Sequence, residues 1–108
     1  MNNHISNDIQ LVKNLEMQKA KKLGGFYKVI ADSTRLRILY LLRQKSLCVH
    51  EIVQLLGISQ SLASHQLRVL KNHKLVSSQK RKNECVYSLA DEHIHLVIDI
   101  AIEHMEEN

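Results

Sequence analysis

Two short helical segments around a single glycine constrain this chain most. Val49, Ile52, Val53 and Leu56 recur at helical spacing, and Gly57 follows where a left-handed residue ends a helix. Ile58 plugs the corner, Ser59 stands as an N-cap, and a second helix is expected from Gln60 to about Asn72. Two helices joined by so tight a turn predict a helix-turn-helix over residues 48–72. In the second helix Ala63, Leu67 and Leu70 face inward, leaving Gln60, Ser61, Ser64, His65 and Arg68 outside. Short polar groups, an amide, an imidazole and a guanidinium can read base edges in a major groove. A merely solvated face is the bland alternative, and its place directly after a tight helix turn argues against that.

The flanking segments extend the pattern. Residues 75–89 hold two short β-branched and aromatic runs, Leu75–Gln79 and Glu84–Leu89, around Lys80, Arg81, Lys82 and Asn83. Asn83 tolerates the backbone angles of a hairpin tip. A basic hairpin after a recognition helix is a wing, placed to touch phosphates through Lys80, Arg81 and Lys82. Upstream, Asp32 is a good N-cap for a strongly apolar core helix over 32–43, whose Arg35 and Arg37 lie early and can point outward towards solvent or phosphate. Residues 1–31 form an arm and an amphipathic helix that Gly24-Gly25 should interrupt or bend. The expected architecture is mainly α (α+β): a single winged helix-turn-helix domain, five to six helices with a two-stranded β-hairpin wing, in a homodimer.

The closing segment, 91–106, reads as a helix capped by Asp91, with Ile94, Val97, Ile98, Ala101, Ile102 and Met105 along one stripe. A second stripe carries His93, Leu96, Ile100, His104 and Glu107. At 1.5 Å rise per residue His93 and His104 stand roughly 16 Å apart, too far for one metal ion. Two copies packed antiparallel about a twofold axis remove the difficulty. Asp91 and His93 of one copy then meet His104 and Glu107 of the other, a two-imidazole, two-carboxylate set suited to tetrahedral zinc, with cobalt as the alternative. Solvated charges on a dimer helix are the competing reading.

A net charge of +4, with Glu103, Glu106 and Glu107 acidic at the end of the chain, concentrates positive charge elsewhere and favours a nucleic-acid partner. No apolar run approaches the length of a membrane span, and Met1–Gln10 lacks the basic and apolar regions of a secretory signal. Two cysteines, Cys48 and Cys85, do not make a disulfide framework, which suits a reducing cytoplasm. Cys85 is expected to be a small buried hydrophobe. No nucleophile has a visible base partner and no phosphate loop is present, so an enzyme and a small organic substrate are not expected.

Residues Ala31–Leu39, Leu47–Val49, Ser59–Leu67, Val86–Leu89 and Asp91–His93 together resemble the ArsR/SmtB family of bacterial metal-sensing repressors, over roughly residues 23–108. The resemblance implies a homodimer that binds a twofold operator duplex when metal-free and releases it on binding metal, derepressing efflux or resistance genes. It implies that Gln60, Ser61, Ser64 and His65 are the main groove contacts, and that Asp91, His93, His104 and Glu107 complete a zinc-type site. A second family site retains Cys48, but His50 and Glu51 stand at the neighbouring positions and His4 is the arm's only ligand-type residue. One thiolate selects cadmium or lead poorly, so Zn(II) or Co(II) is expected before Cd(II) or Pb(II). The competing functions are soft-metal sensing through Cys48 and zinc storage without a DNA role.

Overall fold

Local caps set the helix boundaries in the computed structural model, which describes residues 3–107, with side chains from residue 6 onward. Asp32 accepts the amide of Arg35 at 3.0 Å and starts α2 (Ser33–Gln44), the second of five helices. Ser59 does the same for Leu62 at 3.0 Å, starting α4 (Gln60–Asn72). Between them α3 (Val49–Leu56) ends at Gly57, whose φ of 65° and ψ of 36° are those of a left-handed C-terminal cap. Asp91 starts α5 (Glu92–Glu106), accepting the amides of His93 at 2.8 Å and Ile94 at 3.3 Å through the same oxygen, Oδ1.

The core lies where α2, α3 and α4 meet, around Ile38, Leu39, Ile52, Ala63, Leu67 and Leu70, all wholly buried. Ile94 and Ile98 of α5 close one side, with Ile102 packed against them. The expected two-stranded wing is the β2–β3 hairpin, and a short strand adds a third: β1 (Leu47–Cys48), β2 (Val76–Arg81) and β3 (Glu84–Leu89) lie antiparallel in the order β1-β3-β2. Leu47 faces Tyr87 and Cys48 faces Val86, so the entry to α3 is stitched to the wing. Two residues joined only through a strand nearly forty positions away leave no periodic trace in the sequence.

Three further expectations change. The first helix, α1 (Asn3–Ile30), runs without interruption through Gly24 and Gly25. Each glycine costs about 1 kcal/mol relative to alanine in a helix, which weakens α1 without ending it. Phe26, Val29 and Ile30 pack against the core and anchor its last turn. The left-handed residue of the wing turn is Lys82, with φ 56°, rather than Asn83. Cys85 is exposed, since it alternates with the half-buried Val86.

Arg35 turns inward, whereas Arg37 stays exposed. Arg35 donates to the Val29 carbonyl and to Gln66 Oε1, and Arg37 donates to the Leu56 carbonyl at 3.0 Å. Both saturate carbonyls that helix ends leave without intrahelical donors. No helix among the described residues is long and apolar enough to cross a membrane.

Candidate nucleic-acid interface and metal sites

The helix-turn-helix presents one polar face. Gln60, Ser61, Ser64, His65 and Arg68 of α4 together line an open surface cavity of about 490 Å³. Ser64 is half-buried and the other four are exposed. The face exists because Ala63, Leu67 and Leu70 draw the opposite side of α4 into the core. Beside it the β2–β3 hairpin carries Lys80, Arg81 and Lys82, all exposed. Lys71 Nζ lies 2.6 Å from Ser78 Oγ, joining the end of α4 to the wing. Helix and hairpin therefore present amide, hydroxyl and imidazole groups flanked by fixed positive charge, a combination that suits a duplex with a phosphate backbone.

On α5 the four ligand-type residues divide into two pairs. Asp91 and His93 share the first turn, with His93 Nδ1 3.4 Å from Asp91 Oδ1. The His93 side chain is 88 % exposed and that of Asp91 55 %. His104 and Glu107 belong to the far end. Leu96 and Ile100, between the two ends, are 50 % and 63 % exposed, so this strip has no cover from its own chain. Among the described residues no three His, Cys, Asp or Glu side chains gather in one chain.

The second candidate set is arranged differently. Cys48 is buried at the start of α3, and its amide donates to Glu51 Oε1 at 3.0 Å. That backbone hydrogen bond, aided by the Cys48 side chain, holds the Glu51 carboxyl below its ordinary pKa. Glu51 is thus engaged as a helix cap, while His50 is exposed. The His4 side chain lies outside the described residues.

The sequence reading missed a third cluster. Asp99 of α5 pairs with Arg43 of α2 through Oδ1, and with His95 Nε2 at 2.8 Å through Oδ2. Arg43 also stacks over the Tyr40 ring, 4.4 Å from its centroid. The spacing His95-x3-Asp99 puts both on one helical face and was available as a signal. Arg43 comes from 56 residues away and left none.

A helix-turn-helix with an exposed polar reading face, a basic hairpin beside it and a sheet that fastens the two defines a winged-helix DNA-binding transcriptional regulator. The model for the arsR family of bacterial regulatory proteins matches residues 32–78. The chain is 39% identical over 92 residues to the HTH-type transcriptional regulator NmtR of Mycobacterium tuberculosis, covering 85% of this chain and 77% of that one. It is 33% identical over 96 residues to a cadmium resistance regulatory protein, a CadC homologue of Staphylococcus aureus, covering 88% and 79%. Its fold is similar to the homodimeric winged helix-turn-helix DNA-binding domain Mb0332 of Mycobacterium bovis, with a TM-score of 0.74 at 26% identity over 89% of this chain and 86% of that one. The chain belongs to the arsR family.

Proposed function

We propose that this protein is a zinc-responsive repressor whose metal-free homodimer holds operator DNA and whose metal-loaded dimer releases it. The observation that carries this reading is the division of α5: a ligand pair at each end of an uncovered apolar strip containing Leu96 and Ile100. Antiparallel pairing with a second copy covers that strip and brings unlike pairs together at both ends. The donors fit zinc by chemistry, since two imidazoles and two carboxylates make a closed tetrahedral set. Asp91 caps α5 through Oδ1 alone, so its other oxygen can ligate without loss of the cap. Zinc, when bound, would join the two α5 helices.

Two copies of α4 must enter major grooves about 34 Å apart, so a small change in the α5 pairing displaces both reading faces. Gln60, Ser61, Ser64, His65 and Arg68 read bases, while Lys80, Arg81 and Lys82 hold phosphates. By linkage, whatever factor metal takes from DNA affinity, DNA takes from metal affinity. Sensing through Cys48, with His50, Glu51 and His4, is the runner-up, kept open by the likeness to a cadmium resistance regulator. Burial of the thiol and the engagement of Glu51 favour the α5 site for Zn(II) or Co(II).

The test is fluorescence anisotropy on duplex DNA selected from a random pool by the metal-free protein, challenged with Zn, Co, Cd and Pb. His104→Ala should retain DNA binding and lose zinc-induced release, whereas Cys48→Ser should keep both. Release that persists in His104→Ala, or disappears in Cys48→Ser, refutes the assignment.

A further inference from the structure

Gln66, 8 % exposed, is the one buried polar side chain among the described residues, and it sits in the middle of α4. Its amide is held on both sides. Oε1 accepts from Arg35 Nη1 at 2.9 Å, and Nε2 donates to Asp32 Oδ2 at 3.5 Å. Asp32 Oδ2 also accepts the Arg35 amide at 3.0 Å, closing a ring of three residues. Arg35 in turn donates through Nε to the carbonyl of Val29, in the last turn of α1. One guanidinium therefore fastens the end of α1, the start of α2 and the middle of α4.

A leucine or methionine would fill the same space without desolvating an amide, so packing does not explain Gln66. Its place on the helical wheel does. At 3.6 residues per turn, Ser61, Ser64 and Arg68 stand roughly 160–220° round α4 from Gln66, on the opposite side. Apolar contacts of Ala63, Leu67 and Leu70 resist lifting the helix but are non-directional, and they resist rolling it much less. Hydrogen bonds to a planar amide are directional. With a side-chain radius of about 5–6 Å, a 20° roll would carry the reading side chains about 2 Å, enough to break a base contact.

We propose that Arg35 and Gln66 are positioning residues that fix the rotational setting of α4 and thereby its base discrimination, while contributing little to phosphate grip. The proposal rests on the reading that α4 faces DNA. Loss of the pin lets α4 roll, so the selected duplex is read poorly while the charge of the wing and of Arg68 is unchanged.

The experiment uses the full chain without added metal and two probes: the duplex selected by the wild type from a random pool, and a scrambled duplex of equal length. Gln66→Met keeps the volume and removes both hydrogen bonds. Arg35→Lys keeps the charge, but one ammonium cannot reproduce the fixed fork that joins Val29 to Gln66. Each should lower the ratio of selected to scrambled affinity at least tenfold, with scrambled affinity within twofold of wild type. Should Gln66→Met fail to fold, Arg35→Lys carries the same ratio. A merely structural role would lower both affinities together and leave the ratio unchanged, which overturns the proposal. A wild type that prefers no duplex refutes the DNA reading of α4, and the pin with it; a wild-type preference that survives both substitutions refutes the pin alone.

Discussion

Replacing Asp99 with asparagine tests how α5 is held to the rest of the domain. The substitution keeps shape and removes the charge that faces Arg43 and His95. The Arg43 side chain is 17 % exposed and that of Asp99 36 %, so the pair lies between two measured regimes. Fully exposed pairs contribute about 0.2–1 kcal/mol, and removing one partner of a fully buried pair costs about 3–5 kcal/mol. At this depth about 1–2 kcal/mol is expected, because Arg43 keeps its contact with the Tyr40 ring and some access to water. For a domain of this size that corresponds to a fall in Tm of about 5–15 °C, measured at fixed protein concentration because pairing of copies adds stability. The assay is urea unfolding of wild type, Arg43→Ala, Asp99→Asn and the double variant, which isolates the pairwise energy. A coupling below about 0.3 kcal/mol, the scatter of independent sites, would show that the contact holds nothing and refute the reasoning.

Two further outcomes follow from backbone geometry and from a single carboxyl. Lys74 turns the chain from α4 into β2 at φ 62°, a conformation that costs about 1–2 kcal/mol for a residue with a Cβ. Lys74→Gly should therefore stabilise the protein by about 0.5–1 kcal/mol after the entropy glycine adds to the unfolded chain, and a lower unfolding midpoint would refute this. Glu51 has its pKa lowered by its hydrogen bond to the Cys48 amide, so its contribution is present above the unfolded-state pKa and is lost as pH falls through the folded one. Urea midpoints of Glu51→Gln should lie below wild type at pH 7 and converge with it through the acid carboxylate range; a pH-independent difference would refute the assignment.

What was legible in the sequence was what local rules dictate. Asp32, Ser59 and Asp91 announce their helices because a side-chain oxygen can reach an amide two or three residues on. Gly57 announces the turn because few other residues adopt its angles cheaply. The polar outer face of α4 followed from helical periodicity, and the wing from its basic tip. What was hidden depends on distant partners: β1 exists only by pairing with Tyr87 and Val86, and Arg35 turns inward only because Gln66 waits 31 positions later. The α5 ligands are a different case. The sequence shows the four proposed ones, the fold separates them into two ends of one helix, and the proposed site needs a second copy to reunite them.

Two long-range side-chain contacts, Arg35 with Gln66 and Arg43 with Asp99, share one element. At its N-terminal end α2 meets the recognition helix through Asp32 and Arg35, and at its C-terminal end Arg43 meets Asp99 of α5. A twelve-residue helix spans about 18 Å and is stiff over that length. Its buried middle, Ile38, Leu39 and Leu42, ties it to the core and limits sliding. A shift of α5 that drags Asp99 must therefore either break its pair with Arg43 or tilt α2, and a tilt reaches Gln66 through Arg35. Coupling between the proposed metal helix and the reading face then needs no contact between α5 and α4. It predicts that the same Asp99→Asn variant, at temperatures where it stays folded, binds DNA as wild type does without metal and releases it less completely with zinc. Full release in that variant would mean that the signal travels across the dimer interface and bypasses α2.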